Sequence, residues 1–193
     1  MNDVKNILLC GVGGQGTILI SRILTEGLIR AGYDVKMSEV HGMAQRGGSV
    51  STQVRYGTKV NSPLFGKGQA DICVAFERME AVRYADYLKP DGICVINDYR
   101  LTPMSVAVGA ASYPENALSA MSKVFKTIIV PAADIAADIG NTRSMNIVLL
   151  GSLIRALGKN DLQEIDWTEV IRSILPEKLH AVNIEAFRTG FEG

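Results

Sequence analysis

Apolar residues in this chain follow two rhythms. Asn6 to Cys10 (NILLC) is a short apolar run of the kind found in buried strands. Gln15 to Ala31 carries Ile18, Leu19, Ile23, Leu24 and Leu28 at helical spacing, and Gly32 ends it. Asp34 to Val40 reads as a second strand. Ser49 to Tyr56 alternates, with Val50, Gln53, Val54 and Tyr56. That alternation predicts a strand with one face exposed or covered by a partner.

The middle of the chain repeats the alternation of strand and helix. Asp71 to Phe76 predicts a buried strand, and Glu77 to Leu88 an amphipathic helix ended by Pro90-Asp91-Gly92. Strands follow at Ile93 to Asn97 and Thr127 to Val130, and Pro131 opens a helix over Ala132 to Ile139. From Asn141 the chain turns helical. Met145, Ile147, Val148, Leu149, Leu150, Leu153, Ile154 and Leu157 leave little polar face, so that helix is central to the core or half of an interface. Two more helices are expected over Asp166 to Leu175 and Pro176 to Phe191. The tract Leu101 to Ser122 has Glu115 as its one charge, and is either core-lining irregular structure or surface that another chain covers. The fold expectation is α/β: a doubly wound, Rossmann-like, mostly parallel sheet with helices on both faces and a helical C-terminal part.

With 193 residues, 47% of them hydrophobic, the chain suits one substantial domain. Twenty basic residues balance twenty acidic ones, which argues against a nucleic-acid or membrane-surface binder. No apolar run approaches membrane-spanning length, and the N-terminus lacks the pattern of a secretory signal, so a cytoplasmic location is expected. Cys10, Cys73 and Cys94 each sit in or at the end of an apolar run and are too scattered for a disulfide framework or a metal cluster; buried apolar cysteine is the expected role. An iron–sulfur cluster held by this chain alone would need four close ligands.

Two stretches carry candidate chemistry. In CGVGGQG, Gly11, Gly13 and Gly16 show the GxGxxG spacing between a strand and a helix, with Gly14 inside the loop. In a dinucleotide fingerprint the first glycine permits the turn, the second admits a pyrophosphate and the third lets helix pack on strand. Glu39 stands where a ribose carboxylate would follow, with Asp34 a poorer choice. The same glycines also suit a plain tight connection, so both readings stay open, and no hydride-transfer constellation follows downstream. The other stretch, SEVHGMAQRGGSV over 38 to 50, holds His41, Gln45 and Arg46 before paired glycines. Arg46 offers a planar fork for carboxylate or phosphate, Gln45 donates and accepts, and His41 titrates near neutrality. A loop after the second strand lies at the carboxyl edge, where open α/β sheets place ligands. The alternative is internal: Arg46 pairs with Glu39 and fixes the loop.

Taken together, GVGGQGTILISRIL (11 to 24), SEVHGMAQRGGSV (38 to 50) and GNTRSMNIVLLGSL (140 to 153) resemble one family. It is the gamma-type domain of the 2-oxoacid:ferredoxin oxidoreductases, and in particular the separate small-subunit branch serving indolepyruvate. DICVAFERMEAVRYADYLKPDGICVIN (71 to 97) and VNIEAFRTGFE (182 to 192) fit as well, so 1–193 reads as a single such domain. The resemblance implies an oxidative decarboxylation of an arylpyruvate: thiamine diphosphate attacks the oxoacid, coenzyme A takes the acyl group, and iron–sulfur clusters pass electrons to ferredoxin. It implies that thiamine diphosphate, magnesium and the clusters lie mainly on a larger alpha partner. This chain is then inactive alone, with no cofactor or metal of its own. His41, Gln45 and Arg46 would stand at the subunit junction beside the active centre. Isolated, the chain is expected to self-associate. A reading from another class is a stand-alone Rossmann protein binding NAD(P) or a flavin. Asn141 or Thr142 is expected to cap the apolar helix, with Arg143 a weaker anion contact, and His180 is expected to be structural.

Overall fold

In the computed structural model, residues 4–41, 46–158, 162 and 164–193 are described; Gln45 and the side chain of His41 lie outside them. Among these residues six strands form one mixed sheet: β1 (Lys5–Val12), β2 (Asp34–His41), β3 (Ser49–Gly57), β4 (Ala70–Ala75), β5 (Leu88–Asn97) and β6 (Lys126–Val130). Their order is β2-β3-β1-β4-β5-β6. β1, β4, β5 and β6 pair in parallel, whereas β3 runs antiparallel to both β1 and β2. The mostly parallel α/β expectation holds, with β3 alone reversed. The reversal places the β2–β3 connection at the carboxyl edge, where the loop after β1 also emerges.

Among the described residues eight helices accompany the sheet: α1 (Thr17–Arg30), α2 (Arg78–Arg83), α3 (Met104–Ala107), α4 (Ala117–Val124), α5 (Ala132–Asp138), α6 (Met145–Ala156), α7 (Trp167–Ile174) and α8 (His180–Glu192). One sheet face packs Ile7, Leu9, Val54, Ile72, Val74 and Val95 against the apolar sides of α1, α6, α7 and α8. The other packs Leu8, Cys10, Cys73, Cys94 and Ile96 against Ala81 of α2 and Met121 of α4. Both faces are covered, which is why the parallel strands read as continuous apolar runs.

Helix α6 is central to the core, not half of an interface: Asn146 through Ile154 are all buried. It meets α8 through glycines. A Cβ on Gly151 would lie 2.2 Å from the Phe187 carbonyl oxygen, and one on Gly190 would lie 2.0 Å from that of Val148. The Ser152 hydroxyl donates to the Gly190 carbonyl at 3.0 Å across this contact. Backbones this close leave no room for a side chain at either position.

Two sequence expectations need correction, and a third alternative is narrowed. β3 is buried on both faces, because the segment after it folds back: the Phe65 amide donates to the Gln53 carboxamide at 2.8 Å, and Arg55 reaches Asn6 and the carbonyls of Ser62 and Leu64. The helix after β4 is shorter than Glu77 to Leu88. It stops at Arg83, a 3₁₀ turn follows over Ala85–Tyr87, and β5 begins at Leu88. Pro90-Asp91-Gly92 therefore lies inside a strand, opposite a register irregularity between Ala70 and Ile72. The tract after Leu101 is not core-lining at its start: Met104 is 77% exposed and Val108 67%. Its second half forms α4, which buries Ala117 and Met121.

Candidate functional site at the carboxyl edge

The glycine loop and the β2–β3 connection are joined directly. The Gly13 amide donates to the Gly48 carbonyl at 2.8 Å, and the Gly47 amide donates to the Gly13 carbonyl at 3.2 Å. These bonds continue the β1–β3 ladder beyond the Val12–Ser49 pair. Both backbone groups of Gly13 are thereby engaged by the neighbouring loop.

The other glycines take different parts from those a dinucleotide fingerprint assigns. Gly11 is a strand residue, where an added Cβ would meet Phe76 and the Gln15 carboxamide at 2.9 Å. The turn is made at Gly14 and Gly16, both with positive φ, which glycine adopts without steric cost. Gly16 caps α1 and packs against α6, where the Asn146 Nδ2 donates to its carbonyl at 3.4 Å. Gln15 turns inward. Its carboxamide oxygen accepts from the Val12 amide at 2.7 Å and its nitrogen donates to the Phe76 carbonyl at 3.1 Å, lacing β1 to the end of β4.

Beneath this loop lies a cavity of about 290 Å³. Its wall includes Gly13, Gly14, Gly16, Glu39 and Thr52. Glu39 pairs with Thr52 across β2 and β3, and its carboxylate receives the Ser21 hydroxyl at 3.4 Å. Glu39 and Arg46 form no ion pair among the described residues, so the internal latch considered from sequence is not what holds the loop. Arg46 is exposed.

What holds the return of the loop is Ser49, whose hydroxyl donates to the buried Glu80 carboxylate. Glu80 also accepts from Arg83 at 2.9 Å, which raises the Arg83 guanidinium above its ordinary value. One turn earlier, Glu77 caps α2, accepting from the amides of Met79 and Glu80. The same carboxylate accepts from the Leu101 amide at 3.2 Å and from the Tyr113 hydroxyl. Burial, and then the Glu77 hydrogen bond, push the Tyr113 phenol well above its usual value. One buried carboxylate therefore pins the chain on either side of the exposed Met104 and Val108.

Sequence reasoning missed Gln15, Ser49, Glu77 and Glu80. It also missed Asn97, whose side chain donates to the Phe76 carbonyl and accepts from the Ala132 amide, both at 3.1 Å. A glutamine inside a glycine turn and a glutamate just after a buried strand were the available signals. Asn141 caps the 3₁₀ turn Thr142–Ser144 through the Arg143 amide at 3.2 Å. Arg143 itself is exposed, and His180 Nε2 lies 2.7 Å from the Leu175 carbonyl at the end of α7.

The thiols do not suit a cluster. Cys10, Cys73 and Cys94 are buried in the sheet core, and the Cys10 and Cys73 sulfurs touch at 3.6 Å. Burial raises the Cys10 thiol; hydrogen bonding within the trio, then burial, raises the other two. Iron binding needs thiolates, which these surroundings disfavour. Among the described residues no group of three or more metal-ligating side chains forms a site, and no helix is long and apolar enough to cross a membrane.

An open α/β sheet with a glycine turn and a polar loop zipped together at its carboxyl edge is the frame of a ligand-binding or subunit-docking domain. The comparisons narrow that class. The model of the pyruvate ferredoxin/flavodoxin oxidoreductase family matches residues 6–193, and the chain belongs to that family. It is 39% identical over 191 residues to the indolepyruvate oxidoreductase subunit IorB of Thermococcus kodakarensis, covering 96% of this chain and 93% of that one. Among solved structures it resembles the gamma subunit of a keto/oxoacid ferredoxin oxidoreductase from Geobacter sulfurreducens. There the TM-score is 0.69 and the identity 26%, over 97% of this chain and 96% of the other. The same fold forms part of the longer 2-oxoglutarate:ferredoxin oxidoreductase chain of Magnetococcus marinus, whose structure holds 2-oxoglutarate, coenzyme A and succinyl-CoA. The TM-score there is 0.69 and the identity 22%, over 98% of this chain and 31% of that one.

Proposed function

We propose that this protein is the small subunit of a heteromeric indolepyruvate-type ferredoxin oxidoreductase. The observation that carries this reading is the 39% identity to a subunit of that name across nearly the full length of both chains. The larger partner holds thiamine diphosphate, magnesium and the iron–sulfur clusters, since the thiols of this chain do not fit a cluster. Bound there, thiamine diphosphate would supply the means to decarboxylate the oxoacid, with release of carbon dioxide, two electrons leaving to ferredoxin and the acyl group passing to coenzyme A.

The part of this chain is to present a shaped wall. The Gly13–Gly47–Gly48 zipper and the Ser49–Glu80 bond fix the end of the 38–50 stretch at the carboxyl edge. They hold the exposed Arg46 where its guanidinium can meet a carboxylate or phosphate presented by substrate, coenzyme A or partner. His41 and Gln45 belong to the same proposed junction. The test is Arg46→Ala in the assembled complex. The reading expects a turnover loss of about tenfold or more, as for removal of a charge-assisted contact, with assembly intact. Normal turnover with normal assembly would remove Arg46 from the junction.

A further inference from the structure

We infer that β6 is a dimerisation edge. Two copies of this chain join by antiparallel β6–β6 pairing across a two-fold axis at Ile128, merging two six-stranded sheets into one. β6 is the last strand of the sheet, bonded to β5 on one side, with no strand beyond it among the described residues. Such an edge offers unpaired N–H and C=O groups to any strand that fits, and proteins commonly block it with charge or proline. β2, at the opposite edge, carries Asp34, Lys36 and Glu39. β6 carries Lys126 and then Thr127-Ile128-Ile129-Val130, without a charge. Ile129 is 45% exposed, and Val124 just before the strand is exposed as well.

Hydrogen bonding fixes the register. The Asp98 amide donates to the Val130 carbonyl at 2.7 Å, so Val130 turns its backbone groups toward β5, and by alternation so does Ile128. Thr127 and Ile129 therefore face the open edge. The ladder is closed at both ends. The Phe125 amide donates to the Met121 carbonyl at 2.9 Å, and the Phe125 carbonyl accepts from the Thr127 hydroxyl at 3.1 Å. Pro131 has no N–H, and its carbonyl accepts from the Ile135 amide at 3.0 Å. Thr127 and Ile129 remain between these ends, and two such residues satisfy each other when they stand opposite in an antiparallel pair. Thr127 of one copy exchanges both backbone bonds with Ile129 of the other, and the axis repeats the exchange.

Charge selects a second copy of this chain as the occupant. Lys126 is exposed at the start of β6, and Asp134 is exposed in the first turn of α5, beyond the end of the strand. Neither forms an ion pair among the described residues. The strand holds its two ends roughly 13 Å apart, so these charges do not meet within one copy. Two-fold pairing sets Lys126 opposite Val130 of the second copy. Lys126 lies on the sheet face of Ile128, the face that α5 covers, so it comes beside the second copy's Asp134. Two such contacts form, one on each side of the axis, whereas parallel pairing would set Lys126 against Lys126. This inference goes beyond the proposed oxidoreductase role and does not depend on it.

The test is sedimentation equilibrium of the full chain at low salt, up to about 300 μM, where a dimer with a micromolar Kd is expected. Ile129→Pro removes an outward N–H without touching the β5 ladder, and should weaken the dimer by about tenfold or more with circular dichroism unchanged. Lys126→Glu and Asp134→Lys, both at exposed positions, should each weaken it by about tenfold, and the double variant should restore it to within about threefold. Where Ile129→Pro loses its circular dichroism, the charge variants decide. A chain that stays monomeric at that concentration, its edge left to another occupant, overturns the inference. So does an open-ended assembly, a dimer unchanged in a folded Ile129→Pro, or a double variant no tighter than the single ones. None of these outcomes bears on whether the chain supports oxoacid turnover in a complex.

Discussion

Gly16 and Asn146 lie so close that a Cβ on the glycine would sit 2.2 Å from the asparagine Nδ2. This contact ties the turn that starts α1 to the second residue of α6, 130 positions away. Gly16 also has φ 84°, a conformation that side-chain-bearing residues adopt at a cost. Gly16→Ala should therefore destabilise the protein by about 1–3 kcal/mol, measured by urea unfolding. A change below about 0.5 kcal/mol, the range usual for unconstrained surface sites, would show the turn to be looser than described.

The α6–α8 contact should be stricter still. The Gly151 and Gly190 neighbours are backbone atoms of the facing helix, which cannot rotate away as a side chain can. Alanine at either site must push the helices apart along the best-packed seam of the core. A loss of about 2–4 kcal/mol is expected for each, with the double variant failing to fold at ambient temperature.

Removing the Glu77 carboxylate should release the apolar tract it pins. In Glu77→Ala the amides of Met79, Glu80 and Leu101 and the Tyr113 hydroxyl all lose their acceptor. A cost of about 2–4 kcal/mol is expected, together with faster proteolysis between residues 101 and 112. Cleavage at the wild-type rate in that segment would contradict the pinning role.

The Tyr113–Glu77 bond also sets a pH dependence. Burial, and then the hydrogen bond to Glu77, raise the Tyr113 phenol in the folded state. The unfolded phenol ionises near pH 10 and the folded one higher, so between those values the unfolded state binds fewer protons. The stabilisation is fully present below about pH 10 and is lost as pH rises beyond it. Thermal melts above pH 10 should therefore show a falling melting temperature, and Tyr113→Phe should start lower and fall less steeply.

Much of the architecture is legible from local pattern. The runs NILLC and ICVIN read as strands and are strands, and the α1 periodicity located Ile23, Leu24 and Leu28 in the buried stripe, while it included the exposed Ile18 and passed over the buried Ile20. The fully apolar α6 could be core or interface from sequence, and its burial between sheet and α8 decides for core. The reversal of β3 was not legible, since pairing direction depends on register and not on composition. Nor were the carboxylates. Glu77 and Glu80 read as the polar side of an amphipathic helix, and their burial depends on Tyr113, 36 residues away, and Ser49, 31 residues away. The GxGxxG spacing located the turn correctly, yet Gly47 and Gly48 occupy both backbone groups of Gly13. The Glu39–Arg46 latch failed for a related reason: β2 directs Glu39 toward α1 and Ser21.

The subunit role can be tested most directly by reconstitution. The purified chain should be titrated into the larger partner polypeptide, with arylpyruvate-dependent reduction of ferredoxin followed in the presence of coenzyme A. The account predicts no turnover by this chain alone and activity that saturates as a fixed stoichiometry of the two chains is reached. Turnover by the isolated chain, carried by a prosthetic group of its own, would contradict it.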